Sequence, residues 1–265
     1  MGDAARRPGQ DAGMSPEETS WDRVATWYDG WVGDQGSAYH RQVAIPAVLE
    51  LLRPAPGEAI LDVGGGQGVL APVIVEAGAR YTGVDASPRL IAAAIRRHRG
   101  IGQFVVADAR RLQAATALSQ ASYDAAVFLL SIQDMDPLDA VFAGVDWALR
   151  PHGRVILLMT HPAFRQPRHS GWGLDESRNL QFRRVDAYLG EMAVPMKSLG
   201  GGQPTRSFHR PIGAYVNALG DHGFAVDRML ELADLPPERR PGRTARADAR
   251  ANEEIPLFLA LRAVR

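Results

Sequence analysis

The residues best suited to bind a ligand form a glycine-rich turn, Asp62-Val63-Gly64-Gly65-Gly66-Gln67-Gly68. Apolar runs on either side predict a buried strand over about 58–63 and a helix over about 68–77. Glycine at alternate positions lets the backbone turn sharply and lets a ligand approach it closely. The amide groups at the start of the helix would then face the crevice beyond the end of the strand. The pattern therefore predicts a nucleotide-like ligand at this turn.

Acidic residues also stand at the ends of the next two predicted strands, 81–85 and 103–107. Asp85 ends the second strand and Asp108 follows the third. In an open α/β sheet, ligands bind just beyond the carboxyl ends of the strands, where these side chains would meet. One carboxylate can accept hydrogen bonds from both hydroxyl groups of a ribose. Asp85 could instead cap the following helix, but Ser87 already suits that position, so we predict that Asp85 binds a ribose.

The glycine spacing argues against a nicotinamide dinucleotide. The dinucleotide fingerprint is G-x-G-x-x-G, and counted from Gly64 its third glycine would fall on Val69. A nicotinamide-dependent oxidoreductase is therefore the least favoured of the functions considered.

Several segments, in order along the chain, resemble the motifs of class I S-adenosylmethionine-dependent methyltransferases over about residues 58–160. The resemblance implies a Rossmann-like α/β fold: a seven-stranded, mostly parallel sheet with helices on both faces and a C-terminal antiparallel strand. It also implies S-adenosyl-L-methionine as the cofactor and S-adenosyl-L-homocysteine as the product. The segments are Asp62–Gly68, Gly83–Ser87, Val106–Ala109, Tyr123-Asp124 and Leu149–Gly153.

The resemblance also implies which residues bind the cofactor. It implies that Asp108 lies near the adenine amino group, with the Ala109 amide on the ring. It implies the backbone of Gly64 and of Leu129 near the methionine part, which Asp62 orients through the loop. The predicted cofactor-binding residues are Tyr28, Asp62, Gly64, Gly66, Gly68, Asp85, Ala86, Asp108, Ala109 and Leu129.

The methyl acceptor is expected beside the irregular stretch from His161 to Thr205 and the aromatic helices before the first strand. His161 follows the predicted fifth strand (154–160) and is expected to face the crevice, so His161 and His209 are our candidate bases or acceptor-orienting groups. A hydrogen bond that fixes a loop is the alternative role for each histidine. The other predicted acceptor-binding residues are Arg165, His169, Trp172 and Arg210.

Two further alternatives concern the same stretch. Arg165 and Arg210 could pair with an acidic acceptor, or with carboxylates such as Asp175 or Asp186. The spacing of the histidines matches no metal motif, so we predict no metal.

Composition excludes several classes of partner. The 265-residue chain has 30 basic and 30 acidic residues, so no overall field favours nucleic acid. No apolar run approaches the ~20 residues of a membrane helix, and the polar N-terminus lacks the apolar core of a secretory signal. The chain has no cysteine, which fits a cytoplasmic protein. We expect a cytoplasmic monomer or homodimer without membrane or nucleic-acid partners.

The chain is predicted to consist of consecutive segments around one core. A helix is expected to start at Ser15-Pro16, and the stretch 161–205 shows no long periodic run. The predicted segments are a disordered tail (1–14), an N-terminal helical cap (15–56), the S-adenosylmethionine-binding core (57–161), an acceptor-pocket insertion (162–206) and the C-terminal part of the core (207–265).

The sequence favours a methyltransferase that moves a methyl group by in-line displacement to an oxygen or nitrogen atom of a small molecule such as a secondary metabolite. Enzymes that methylate amino groups of nucleic-acid bases carry Asn/Asp-Pro-Pro-aromatic after the fourth strand, where this chain has Ser131-Ile132-Gln133-Asp134-Met135. Methylation of the cytosine ring of the common kind uses a cysteine nucleophile, which this chain lacks. The alternative is an S-adenosylmethionine-binding protein with a non-methylating activity, such as a cyclase or a regulator.

Overall fold

The computed structural model of the chain describes residues 21–33, 35–196, 205–235 and 245–265. The predicted disordered tail (1–14) and the predicted helix start at Ser15 lie outside these ranges. The division into cap, core and insertion stays a prediction.

A seven-stranded sheet forms the centre of the molecule, in the order β10-β11-β5-β4-β1-β2-β3. Strands β1 to β5 run parallel to one another, and β11 runs antiparallel to both β5 and β10. The predicted Rossmann-like α/β fold is thereby confirmed. The strands of this sheet are β1 Ala59–Val63, β2 Arg80–Asp85, β3 Gln103–Val106, β4 Tyr123–Leu129, β5 Leu149–Thr160, β10 Ala225–Leu232 and β11 Phe258–Val264.

Helices cover both faces of the sheet, which is why all five residues of β1 are buried. One apolar layer packs α5 and α6 against the sheet, and the other packs α2 and α3 against its opposite face. The helices are α1 Ala25–Val32, α2 Ile45–Leu52, α3 Ala71–Glu76, α4 Pro88–Arg97, α5 Leu138–Ala148, α6 Ile212–Asp221 and α7 Ala245–Glu254. Short 3₁₀ helices lie at Asp22–Val24, Ala109–Ala114 and Ile132–Asp134, and a π-helical turn at His40–Ala44 precedes α2.

Two element boundaries differ from the sequence prediction for local reasons. Helix α3 begins at Ala71 rather than near 68, because Gly68 has a φ of +81° that no α-helix accepts. Strand β5 begins at Leu149 rather than 154, so the motif segment Leu149–Gly153 belongs to the strand.

The predicted insertion has regular structure in its described part, although its sequence shows no long periodic run. Two antiparallel hairpins form there, one from β6 Ser170–Asp175 and β7 Leu180–Val185, the other from β8 Met192–Pro195 and β9 Arg206–His209. Their strands are only four to six residues long. Such short strands, with glycine and charged residues among them, give too few alternations for a sequence pattern.

Within the described ranges, no helix has the length and apolar character that a membrane crossing requires.

Candidate functional site

The glycine turn lies at the carboxyl end of β1 and lines a cleft that opens to solvent. Gly64, Gly66 and Gly68 have φ values of +70°, +55° and +81°. The Gly64 and Gly65 amides donate to the Val84 carbonyl at 2.8 and 3.0 Å, which ties the turn to β2. The cleft is lined by Tyr28, His40, Asp62, Gly64, Gly65, Gln67, Val69 and Leu129.

One carboxylate oxygen of Asp62, a residue that lines this cleft, has no hydrogen-bond partner among the described residues. The residue is 1% exposed, and its Oδ2 atom accepts a hydrogen bond from the Tyr81 hydroxyl at 2.7 Å. Its Oδ1 atom is buried without a hydrogen bond among the described residues. Burial raises the pKa of Asp62 to about 7. A cationic or N–H donor on a bound ligand would satisfy Oδ1 and favour the ionised carboxylate.

Asp85 lies beside the same turn at the end of β2. Its two oxygens accept hydrogen bonds from the Gly66 amide at 3.0 Å and the Ser87 amide at 2.8 Å. Burial raises its pKa to about 6, against the effect of these amides. Each carboxylate oxygen can accept more than one hydrogen bond, so Asp85 retains acceptor capacity for ligand hydroxyls.

The structure gives Asp108 strong protein partners. Its carboxylate accepts from the Arg110 amide and Nε, both at 2.9 Å, and from Arg110 Nη2 at 2.6 Å. Burial alone would raise its pKa, but these hydrogen bonds lower it. Asp108 therefore caps the 3₁₀ helix that begins at the buried residue Ala109, and its contact with an adenine stays a prediction.

The N-terminal elements cover the cleft. Asp22 accepts a hydrogen bond from the Ser87 hydroxyl at 2.7 Å, and Asp29 pairs with Arg97 of α4 at 2.7 Å. The Tyr28 ring lies 3.7 Å from the point that a Cβ atom on Gly66 would occupy. Burial raises the pKa of Tyr28 above its ordinary value, and the neighbouring carboxylates Asp85, Asp134 and Asp62 raise it further.

Asp134, at the end of the 3₁₀ helix after β4, is a site residue that sequence reasoning missed. Its carboxylate is engaged by the side chains of Trp21 and Ser207, while burial raises its pKa to about 7. One signal in the sequence could have indicated Asp134. It lies five residues after the end of β4, at the same sheet edge as Asp62 and Asp85.

His40 and Gln67 also line the cleft without having been predicted. Burial lowers the pKa of His40 to about 4, and its Nδ1 atom lies 2.9 Å from the Ser37 hydroxyl. The Gln67 side-chain amide donates to the Gly33 carbonyl at 2.9 Å. Both residues therefore support the turn and the segment after α1.

His161 was expected to face the crevice, but its contacts lie elsewhere. Its Nε2 atom lies 3.0 Å from Glu231 on β10, and its Nδ1 atom accepts the Ala163 amide at 3.2 Å. This places the buried imidazole on the side of β5 away from β4 and the glycine turn. Burial lowers its pKa, although Glu231 acts in the opposite direction. These contacts match the loop-fixing alternative.

His209 ends strand β9, which packs against the segment after β4, and Arg210 follows it. His209 is buried, and its Nε2 atom lies 2.8 Å from the Tyr188 carbonyl oxygen. Arg210 is 4% exposed and pairs with Asp136, while its Nη1 atom has no hydrogen bond within the described chain. The protein partner of Arg210 is thus Asp136, not Asp175 or Asp186.

The other predicted acceptor-binding residues gather at the first hairpin, apart from the residues that line the cleft. The guanidinium groups of Arg165 and Arg183 each lie 5.1 Å from the centroid of the Trp172 ring. Arg165 also pairs with Asp234 at 3.4 Å. His169 is exposed and lies 2.8 Å from Asp186. No trio of His, Asp or Glu side chains in the described ranges could hold a metal ion.

The sheet order, the glycine turn and the acids at the strand ends define the class I S-adenosylmethionine-dependent methyltransferase fold. Residues 61–155 match a family model described as a methyltransferase domain. The predicted resemblance to the class I S-adenosylmethionine-dependent methyltransferases is thereby confirmed, and so is S-adenosylmethionine as the predicted cofactor.

A solved structure covers nearly the whole chain. It is an S-adenosylmethionine-dependent methyltransferase from Mesorhizobium loti, 28% identical with a TM-score of 0.69, and the match covers 88% of this chain and 100% of that one.

Curated relatives match over shorter lengths. A ubiquinone biosynthesis O-methyltransferase of Xylella fastidiosa is 26% identical over 145 residues, 53% of this chain and 58% of that protein. A ribosomal RNA small subunit methyltransferase H of an Anaeromyxobacter species is 44% identical over 62 residues, 23% of this chain and 20% of that protein. The chain thus spans between a fifth and three fifths of the length of these curated relatives.

Proposed function

We propose that this protein transfers the methyl group of S-adenosylmethionine to an oxygen or nitrogen atom of a small molecule. The observation that carries the proposal is the cleft beside the glycine turn. There, the Oδ1 atom of Asp62 has no hydrogen bond among the described residues, and Asp85 accepts from the Gly66 amide of the same turn. The sulfonium of the cofactor supplies an electrophilic methyl carbon. The protein's part is to align the acceptor with it and to exclude water.

Each group in the cleft has a role that its contacts allow. Asp62 Oδ1 binds the ammonium of the methionine part, which supplies the missing donor. Asp85 binds the ribose hydroxyls. Backbone amides hold both of its oxygens in place, and each oxygen can accept a further hydrogen bond. The absence of a Cβ atom on Gly66 lets a ligand approach the backbone of the turn closely.

A small-molecule acceptor fits both the charge balance and the relatives. Equal numbers of basic and acidic residues provide no overall attraction for a polyanion. The ubiquinone relative is named as an O-methyltransferase and matches over more than half of this chain. The ribosomal RNA relative matches over only 62 residues, too little to carry its acceptor to this protein.

Calorimetry with S-adenosylmethionine, S-adenosylhomocysteine and NAD tests the cofactor. We expect both adenosyl ligands to bind and NAD not to bind. Asp85→Asn should weaken their binding about tenfold or more, since buried hydrogen bonds from two ribose hydroxyls are lost. Asp175→Asn, in the exposed first hairpin, is the matched control and should leave affinity unchanged. Binding of NAD alone would overturn the proposal.

Transfer of a labelled methyl group to a panel of phenols and amines tests the reaction itself. Tight cofactor binding without transfer to any acceptor would favour the non-methylating alternative.

A further inference from the structure

We propose that the Asp134 carboxylate is the base that receives the hydroxyl proton of an aromatic acceptor. This inference rests on the proposed methyl transfer and narrows its acceptor to a hydroxyl oxygen. It replaces the two histidines that the sequence favoured with a residue that lies beside the glycine turn.

The segment that carries Asp134 packs directly against the turn. The Ser131 hydroxyl donates to the Val63 carbonyl at 2.6 Å. A Cβ atom on Gly64 would lie 2.7 Å from the methyl carbon of Met135. The Asp134 carboxylate is also close enough to Tyr28 to raise the pKa of that hydroxyl. Asp134 is therefore at the side of the cleft where β4 ends, next to the position predicted for the methionine part.

The partners of Asp134 are hydrogen-bond donors without charge. The Trp21 and Ser207 side chains lower the pKa of Asp134 as hydrogen-bond donors, and the Ser207 hydroxyl also donates to the Gln133 carbonyl at 3.4 Å. Asp136, two residues later, instead pairs with the buried Arg210 guanidinium. In the described part of the chain, no ion pair forms on Asp134. Without a cation to stabilise its ionised form, this half-buried carboxylate keeps a proton affinity suited to a base near neutral pH.

The two histidines are worse placed for this role. Both ring nitrogens of His161 are engaged, on the far side of β5. The Nε2 atom of His209 lies against the Tyr188 carbonyl oxygen. Among the described residues, no contact places either imidazole beside the glycine turn. The segment that carries Asp134, in contrast, packs against that turn.

The chemistry of a base selects the acceptor atom. A neutral amine attacks with its lone pair before it loses a proton, whereas a phenolic hydroxyl gains most from losing its proton as it attacks. The Trp21 and Tyr28 rings meet edge to face with centroids 5.1 Å apart. These two aromatic side chains suit a flat, aromatic acceptor.

The proposed step balances as follows. The acceptor oxygen forms a bond to the methyl carbon while the carbon–sulfur bond breaks, and its electron pair stays on sulfur. The hydroxyl proton passes to Asp134, which later releases it to water. The products are the methyl ether and S-adenosylhomocysteine.

Two acceptors of different acidity test the base directly. Phenol keeps its proton at about pH 8, whereas 4-nitrophenol is largely ionised there and needs no base. We expect Asp134→Asn to reduce methyl transfer to phenol at least 100-fold and transfer to 4-nitrophenol less than tenfold. Asp139→Asn is the control, because Asp139 is an exposed carboxylate at the start of α5. It should leave both rates unchanged.

The pH profile gives a second readout that a merely structural role would not move. With phenol, the rate should rise with pH through about 7, where Asp134 ionises. Burial is the main cause that raises the pKa values of the neighbouring Tyr28 and Tyr215, so neither titrates in this range. Asp62 and Asp85 have pKa values raised to about 7 and about 6, so the midpoint of Asp134 is the one that Asp134→Asn removes from the profile. Ser207→Ala removes a donor that lowers the pKa of Asp134, so it should move the midpoint upward.

Binding measurements separate the possible failures. Asp134→Asn should bind S-adenosylhomocysteine as tightly as the wild type, which shows that the variant is folded. Infrared titration of the wild type minus this variant should reveal one carboxyl group with a midpoint near 7. If the variant loses equal activity on both acceptors, or none, Asp134 is not the base, although methyl transfer stands.

The proposal that the acceptor is a hydroxyl compound can also be wrong while methyl transfer stands. If the wild type binds S-adenosylmethionine but methylates amines and no hydroxyl compound, the hydroxyl acceptor is overturned. If it does not bind S-adenosylmethionine, the proposed function fails first.

Discussion

At Gly64 the backbone has a φ of +70°, and a Cβ atom there would lie 2.6 Å from the Ser131 Cβ atom. Gly64→Ala should therefore destabilise the protein by about 1–3 kcal/mol and abolish cofactor binding, because the turn or the segment after β4 must move. Gly213→Ala is the matched control, since a Cβ atom there has nothing within 4 Å and lies in α6. It should be neutral or stabilise by up to about 1 kcal/mol. Thermal unfolding and calorimetry measure both effects, and a Gly64→Ala variant like the wild type would contradict the first.

At the scale of elements, the covering of the cleft depends on how α1 and the 3₁₀ helix before it are held to α4. Asp22 accepts hydrogen bonds from the Ser87 hydroxyl at 2.7 Å and the Arg89 amide at 3.1 Å. Asp22→Ala should speed hydrogen exchange of the α1 amides and weaken S-adenosylmethionine binding several-fold, since about 1 kcal/mol of hydrogen bonding is lost. The sheet amides should keep their protection.

The control for this variant is Asp227→Ala, which breaks the ion pair with Arg262 on β10 and β11. It removes a carboxylate of the same size at the opposite end of the sheet from α4. Faster exchange in α1 with this control, or unchanged exchange with Asp22→Ala, would show that the contacts of Asp22 do not hold the cap.

The elements that the sequence predicts well are those with strong local signals. Helix α4 begins where the sequence predicts, directly after Ser87, because Ser87 caps it and Pro88 fixes its first turn. The acids Asp62 and Asp85 stand at strand ends in both the sequence and the structure. The partner of His161 could not be predicted, because Glu231 lies on a strand that pairs through β11, far along the chain. The role of Asp134 depends in the same way on Trp21 and Ser207, which only the tertiary fold brings to it.

For the whole molecule, the site reduces stability at the pH at which it works. Burial raises the pKa of Asp62 to about 7, above its value in the unfolded chain. The folded state therefore binds this proton more tightly, and the stability that Asp62 contributes falls as pH rises from about 4 to about 7. Above that range the folded protein carries the ionised, buried carboxylate of Asp62, whose Oδ1 atom accepts no hydrogen bond from the described residues. A cationic cofactor offsets this cost, so binding and stability are opposed at one residue.

Asp62→Asn should separate these two properties. Asparagine cannot ionise, so the variant without cofactor should be more stable than the wild type above about pH 7, by at most about 4 kcal/mol, and similar to it near pH 4. It should lose most of its affinity for S-adenosylmethionine, because a neutral amide replaces the carboxylate that would face the ammonium group. Asp227→Asn is the control of opposite sign: Arg262 lowers the pKa of Asp227, so this variant should be slightly less stable at neutral pH. Thermal unfolding from about pH 4 to pH 8, with and without S-adenosylhomocysteine, measures both. A stability difference for Asp62→Asn that does not change with pH would mean that Asp62 does not carry the buried charge, and its role in holding the cofactor would lose its physical basis.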